Sequence, residues 1–169
     1  MRAPSSTRRW QLLALTLAPL LFTGCGFHLQ GRHELPRSLV SARLLTADPQ
    51  TDFYAALRAA LLSAGARLDG EPGSAATIRI SADTSTERVL TVSQFNIPTA
   101  YLLSYRVEVS VDYQGHELLA PEVHTVTREY SFDERALLAK EREREVLRQA
   151  LADDLVALLM RRLAALKVP

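Results

Sequence analysis

The chain has 169 residues, a formal net charge of +1, 47% apolar residues and 23% charged residues. That length fits one domain. The ordinary balance of apolar and charged groups excludes a disordered chain, a collagen-like repeat and a nucleic-acid binder driven by a strongly basic surface, and a single cysteine excludes an intramolecular disulfide and a cysteine-based zinc cluster.

The amino terminus differs in character from the rest. Residues 1–11 carry Arg2, Arg8 and Arg9 and no acid, and an apolar run follows from Leu12 to Phe22. Such a run is about half of the roughly twenty apolar residues that a bilayer-spanning helix needs. A basic segment followed by a short apolar one has the pattern of a secretory signal. The segment closes in Leu21-Phe22-Thr23-Gly24-Cys25, which resembles a lipobox, the cleavage and acylation site of bacterial lipoproteins. Small residues at Thr23 and Gly24 let an extended backbone enter a peptidase cleft. The resemblance implies a diacylglyceryl group on the Cys25 sulfur and an acyl group on its freed amine, and two or three chains anchor stably where one does not. No other cofactor is expected. Gly26 stands where inner-membrane retention would favour aspartate, so the class resemblance implies the outer membrane as destination.

Residues 1–24 are thus read as a signal peptide, 25–38 as a lipidated tether and 39–169 as a single domain. Removing residues 1–24 takes three arginines and no acid, which leaves 145 residues with a formal charge of −2 and Met160 as the sole methionine. A chain of that size buries about 68% of its unfolded surface and sustains its own core.

Leu39–Leu45 is expected to be a strand, following Pro36. Asp48-Pro49 opens a turn, and Phe53, Leu57, Ala60, Leu61 and Ala64 recur at helical spacing before Gly65, a C-cap residue. Ala76–Ala82 alternates as a strand, and Arg88–Val92 continues or restarts it beyond the polar Asp83–Glu87 stretch. From Tyr101 to Tyr113 the odd positions Leu103, Tyr105, Val107, Val109 and Val111 oppose Ser104, Arg106, Glu108, Ser110 and Asp112, the pattern of a strand with one buried and one wet face. Gln114-Gly115-His116 fits a hairpin turn, and Val123–Phe132 is rich in β-formers. A long helix closes the chain, with Asp133 as N-cap, Glu134 in its first turn and a stripe of Leu147, Leu151, Leu155, Leu158, Leu159, Leu163 and Leu166. The run Glu141-Arg142-Glu143-Arg144-Glu145 is a solvated helical face. The order β-α-β-β-β-α gives an α+β fold: two helices packed on one face of a largely antiparallel four-stranded sheet.

The motifs of common enzymes are missing. The sequence has no Gly-x-Ser-x-Gly elbow, P-loop or dinucleotide fingerprint. His28, His33, His116 and His124 lack the i,i+4 helical pairing of metal ligands. Adjacent Asp153 and Asp154 diverge by about 100° on a helix and do not converge as a dyad. Acylation would block the Cys25 thiol. The expectation is a protein with no catalytic and no metal site that is not an enzyme.

Cys25-Gly26-Phe27-His28-Leu29-Gln30-Gly31 resembles the C-G-F-x-L-R-G opening of the LptE family of lipopolysaccharide-assembly lipoproteins. Leu35-Pro36, the element order, the segment Phe132–Glu141 and the terminal amphipathic helix fit the same family. Gln30 stands where the pattern has arginine, so no ligand role falls on the tether. The resemblance implies an outer-membrane lipoprotein on the periplasmic face that complexes with and plugs the β-barrel LptD and assists delivery of lipopolysaccharide to the outer leaflet. It implies binding of lipopolysaccharide as well, whose phosphates call for cations. Lys140 matches a basic position of the family pattern, Arg106 projects from the wet face of the long strand and Arg88 lies on a neighbouring strand. Nucleic acid has no electrostatic reason to bind, since the basic and acidic residues of the last helix nearly balance. The competing reading is a periplasmic lipid-carrying lipoprotein serving an ABC transport system, which would need an apolar groove open to solvent.

Overall fold

A computed structural model describes residues 35–132 and 137–166. The signal segment, residues 25–34 of the tether with Cys25, His28 and His33, and Asp133 and Glu134 lie outside the described residues. Pro36 fixes the start of a 3-10 turn over Arg37–Leu39, closed by Leu39 N–H to the Pro36 carbonyl at 2.8 Å. The first strand, β1, therefore spans Ala42–Thr46 and starts later than its apolar composition predicts. The turn drives Leu39 into the core, where it is fully buried.

Helix α1 spans Asp52–Ser63. The Thr51 hydroxyl caps it by accepting from the Tyr54 N–H at 3.2 Å. At the other end Gly65 adopts φ +89°. Its N–H donates to the Leu62 carbonyl at 3.0 Å and the Ala66 N–H to that of Leu61 at 3.0 Å, the paired bonds of a Schellman cap. Phe53, Leu57 and Leu61 form the buried stripe of this helix, as their spacing predicts.

The remaining strands are long. β2 runs unbroken over Ala76–Val92, so the polar Asp83–Glu87 stretch continues the strand. β3 covers Pro98–Tyr113 and β4 His116–Ser131. Gln114 at φ 50° and Gly115 at φ 79° make the two-residue turn between them, the left-handed pair that a type I′ hairpin requires. The early start of β4 was hidden by Pro121, which lacks an N–H and argues against a central strand. The sheet order β1-β2-β3-β4 makes β4 an edge, and its register shifts between Val109↔Glu122 and Val111↔Leu119, which accommodates the proline. β1 pairs parallel with β2 and the other pairs are antiparallel, giving a mixed, largely antiparallel sheet.

Helix α2, Leu137–Ala164, buries Leu151, Leu155, Leu159 and Leu163 together with Ala152, Val156 and Met160. Leu147, Leu158 and Leu166 are only half-buried. These side chains meet Ile78, Ile80, Leu103, Tyr105, Val107, Val109 and Val111 in one core. Each such leucine contributes about 1.5–3 kcal/mol on burial. One polar network crosses this layer. Asp83 accepts from the Tyr105 hydroxyl at 2.8 Å and from the Thr51 hydroxyl, while the Phe53 N–H donates to the Tyr105 oxygen at 3.4 Å. Burial and the Asp83 carboxylate push the Tyr105 phenol well above its usual range, so it stays a donor. Arg148 of α2 reaches Asp52 at 2.7 Å. The capped end of α1 is thereby tied to β2, β3 and α2.

Candidate ligand site between the sheet and the terminal helix

Lys140 lies in the first turns of α2, above the Tyr130 end of β4 and the Tyr101 end of β3. These elements enclose a small cleft of about 120 Å³, lined by Glu87, Tyr101, Tyr130, Phe132, Leu137, Lys140, Glu141 and Arg144. The register Val89↔Tyr101↔Tyr130 brings the two tyrosines side by side, and their rings stack at 5.8 Å. Phe132 meets Tyr101 edge-on at 5.3 Å, held by its N–H to the Thr99 carbonyl at 2.9 Å. The cleft thus has an aromatic wall.

Its polar wall sets Lys140 and Arg144 of the helix beside two carboxylates, Glu141 and Glu87. Lys140 Nζ donates to Glu143 Oε2 at 2.7 Å and to the Ser131 hydroxyl at 3.3 Å. Arg144, one helical turn on, lies 4.0 Å from Glu87 Oε2. That carboxylate also accepts from the Tyr130 hydroxyl at 2.7 Å. Burial, with the bond to Glu87, raises the Tyr130 phenol far above its ordinary value. A phenol so stabilised is a donor and a poor nucleophile. The Lys140–Glu143 pair is of the i,i+3 surface type, with Glu143 substantially exposed, and such pairs contribute about 0.2–1 kcal/mol. Glu143 can therefore be released from Lys140 at small cost. The arrangement suits an amphiphile: cations for an anionic group, aromatic faces and Leu137 for an apolar one.

The expected cations separate. Arg106 is exposed and pairs in register with Thr84 and Thr125, while Arg88 pairs with Leu102. Both occupy the sheet face opposite the helices, because Tyr101, Leu103 and Tyr105 point toward them. The structure brings neither to Lys140. Reasoning from sequence missed Arg144 and the trio Tyr101, Tyr130 and Phe132. Arg144 had a signal in its i,i+4 spacing from Lys140, whereas the aromatic trio depends on strand register. The run Glu141–Glu145 is exposed as expected. His116 is exposed at the first position of β4. His124 is nearly buried on the helix-facing side, 3.8 Å from Glu122. Among the described residues no three His, Cys, Asp or Glu side chains converge to hold a metal, and no helix is long and apolar enough to cross a membrane. Asp154 is engaged by Arg128 at 2.9 Å.

The fold is that of a class of bacterial lipoproteins. It is similar to the solution structure of an uncharacterized lipoprotein B from Nitrosomonas europaea, with a TM-score of 0.67 and 26% identity over 83% of this chain and 92% of that one. The crystal structure of the rare lipoprotein B from Shewanella oneidensis matches with a TM-score of 0.66 at 22% identity, covering 74% of this chain and 94% of that one. Sequence comparison narrows the class. The profile of the LptE family, described as Lipopolysaccharide-assembly, matches residues 42–163. The LPS-assembly lipoprotein LptE of Yersinia enterocolitica is 29% identical over 154 residues, 90% of this chain and 74% of that protein. That of Pectobacterium atrosepticum is 27% identical over 153 residues, 89% and 83% respectively. The chain belongs to the LptE family of lipopolysaccharide-assembly lipoproteins, a family of the cell envelope and not of enzymes.

Proposed function

We propose that this protein is an outer-membrane lipoprotein, anchored through acylated Cys25, that complexes with the export barrel LptD and binds lipopolysaccharide at the Lys140 cleft. The observation that carries the ligand reading is the cleft itself, where Lys140 and Arg144 stand against Tyr101, Phe132 and Leu137. Phosphate on lipid A or the inner core meets the two cations through charge-assisted bonds. The acyl or sugar portion meets the aromatic wall. The protein performs no bond-making step; it holds an amphiphile and a barrel.

The barrel reading is supported by family membership and by the character of the surface. A barrel lumen is polar, and the sheet face away from the helices presents Thr84, Thr86, Arg88, Ser104, Arg106, Glu108, Thr125 and Thr127 around the apolar Leu102 and Val123, a mostly polar surface. The reading as a lipid carrier of an ABC system is less favoured, because the Lys140 cleft, the groove beside Arg43 and the cleft beside Arg148 each carry arginine or lysine on their walls. Affinity purification from the native host in mild detergent tests the barrel reading. A large integral outer-membrane β-barrel is expected to co-purify, and recovery of the protein with no barrel contradicts it.

A further inference from the structure

A cleft larger than the one at Lys140 lies on the far side of the fold from it. It is an open groove of about 470 Å³ between β1, α1 and the segment that follows α1. Three arginines line it, Arg43 from β1, Arg58 from α1 and Arg67 from the segment, with Asp69 the one acid. None of the three arginines enters an ion pair among the described residues. Leu44, Tyr54 and Leu62 supply apolar wall between them.

The fold builds this groove at a defined place. The Schellman cap at Gly65 turns the chain back so that Arg67 docks on the free edge of β1, its N–H on the Val40 carbonyl at 2.8 Å and its carbonyl on the Ala42 N–H at 2.8 Å. By the alternation of a strand, the Leu44 N–H faces the same free edge as that of Ala42. Arg43, the first groove residue, follows Leu35, where the described chain begins, by eight positions. Ten residue steps separate Leu35 from Cys25, a reach of at most about 35 Å. The β2–β3 hairpin tip with the exposed Phe95 lies at the opposite end of β2. Sixteen steps from Ala76 to Val92 put it about 50 Å away.

From this we infer that the Arg43–Arg58–Arg67 groove docks the domain on phosphate headgroups of the bilayer to which Cys25 is tethered. The guanidinium forks match phosphate oxygens, and the apolar wall meets the upper part of a lipid. The inference rests on the reading of Cys25 as a lipid anchor. Docked through this groove, the domain turns the hairpin at the opposite end of β2 away from the leaflet.

The test uses the native acylated protein, purified in detergent and reconstituted in vesicles of phosphatidylcholine with or without phosphatidylglycerol. Amide hydrogen exchange is followed over residues 43–46 and 54–69. Exchange there should slow only in the vesicles with phosphatidylglycerol. Each Arg→Gln substitution at 43, 58 or 67 should lower the docked-to-free ratio about fivefold, since a cation near an anionic surface contributes about 1 kcal/mol. Unchanged exchange of core amides such as Val107 shows that the variants are folded. Equal exchange in both vesicles, protection that survives the triple substitution, or protection that appears only with the barrel partner overturns the inference. Protection by inorganic phosphate in phosphatidylcholine vesicles makes the groove a free-phosphate site and also overturns it. Cys25 without acyl mass overturns the anchor reading, and the inference with it, whereas acylated protein without the exchange difference overturns the inference alone.

Discussion

The two ends of the sheet follow one alternation and meet different fates. Where α1 and the second half of α2 cover it, Ile78 is wholly buried and Val107, Val109 and Val111 are fully enclosed. Beyond Glu87 the same strand leaves Val92 at 51% exposure, and the hairpin leaves Phe95 at 75%. The helix is divided in the same way: Leu151 to Leu163 are core, while Leu137, Leu138 and Val146 are exposed. Alternation thus forms a strand, but only an opposing layer makes it a core. The candidate ligand cleft lies where cover runs out, so that aromatic side chains are ordered by packing and still reachable.

That contrast can be broken from the covered end first. Leu155→Ala removes a fully buried side chain and should cost about 2–5 kcal/mol, read as a lower midpoint in urea unfolding. Asp83→Ala leaves the Tyr105 and Thr51 hydroxyls without their acceptor and should cost about 1–3 kcal/mol; Asp83→Asn should recover part of it. Gly65→Ala places a Cβ at φ +89° and should cost about 1 kcal/mol in the same assay. Phe95→Ser at the bare end should stay within about 0.5 kcal/mol. A large loss at Phe95 would mean that the hairpin is packed in the isolated protein, and the two-ended description would fail.

Much of this was legible in the residues. The alternation of Tyr101–Tyr113, the stripe Phe53-Leu57-Leu61 with Gly65 after it, and Gly115 in the hairpin each carry a local signature that the fold keeps. Signals failed where a distant contact decides. Pro121 disguised the first residues of β4, because whether proline is tolerated depends on the strand being an edge. The 3-10 turn at Pro36 displaced the first strand. In the site, Lys140 was found through family resemblance, while Tyr101, Tyr130 and Phe132 meet only through pairing across strands. Arg106 was placed on the wet face of its strand and Arg88 on a neighbouring one, and register keeps both on the face opposite Lys140. What depended on period could be read; what depended on which strand lies beside which could not.

Lipopolysaccharide titration against the purified protein at fixed ionic strength tests the site most directly. Lys140→Glu combined with Arg144→Glu should lower affinity tenfold or more, because each charge-assisted bond contributes about 1.5–3 kcal/mol. Arg106→Glu, on the far face, should leave affinity nearly unchanged. Loss of affinity on Arg106→Glu, with the Lys140 and Arg144 double variant binding as the wild type does, would contradict the assignment of the cleft.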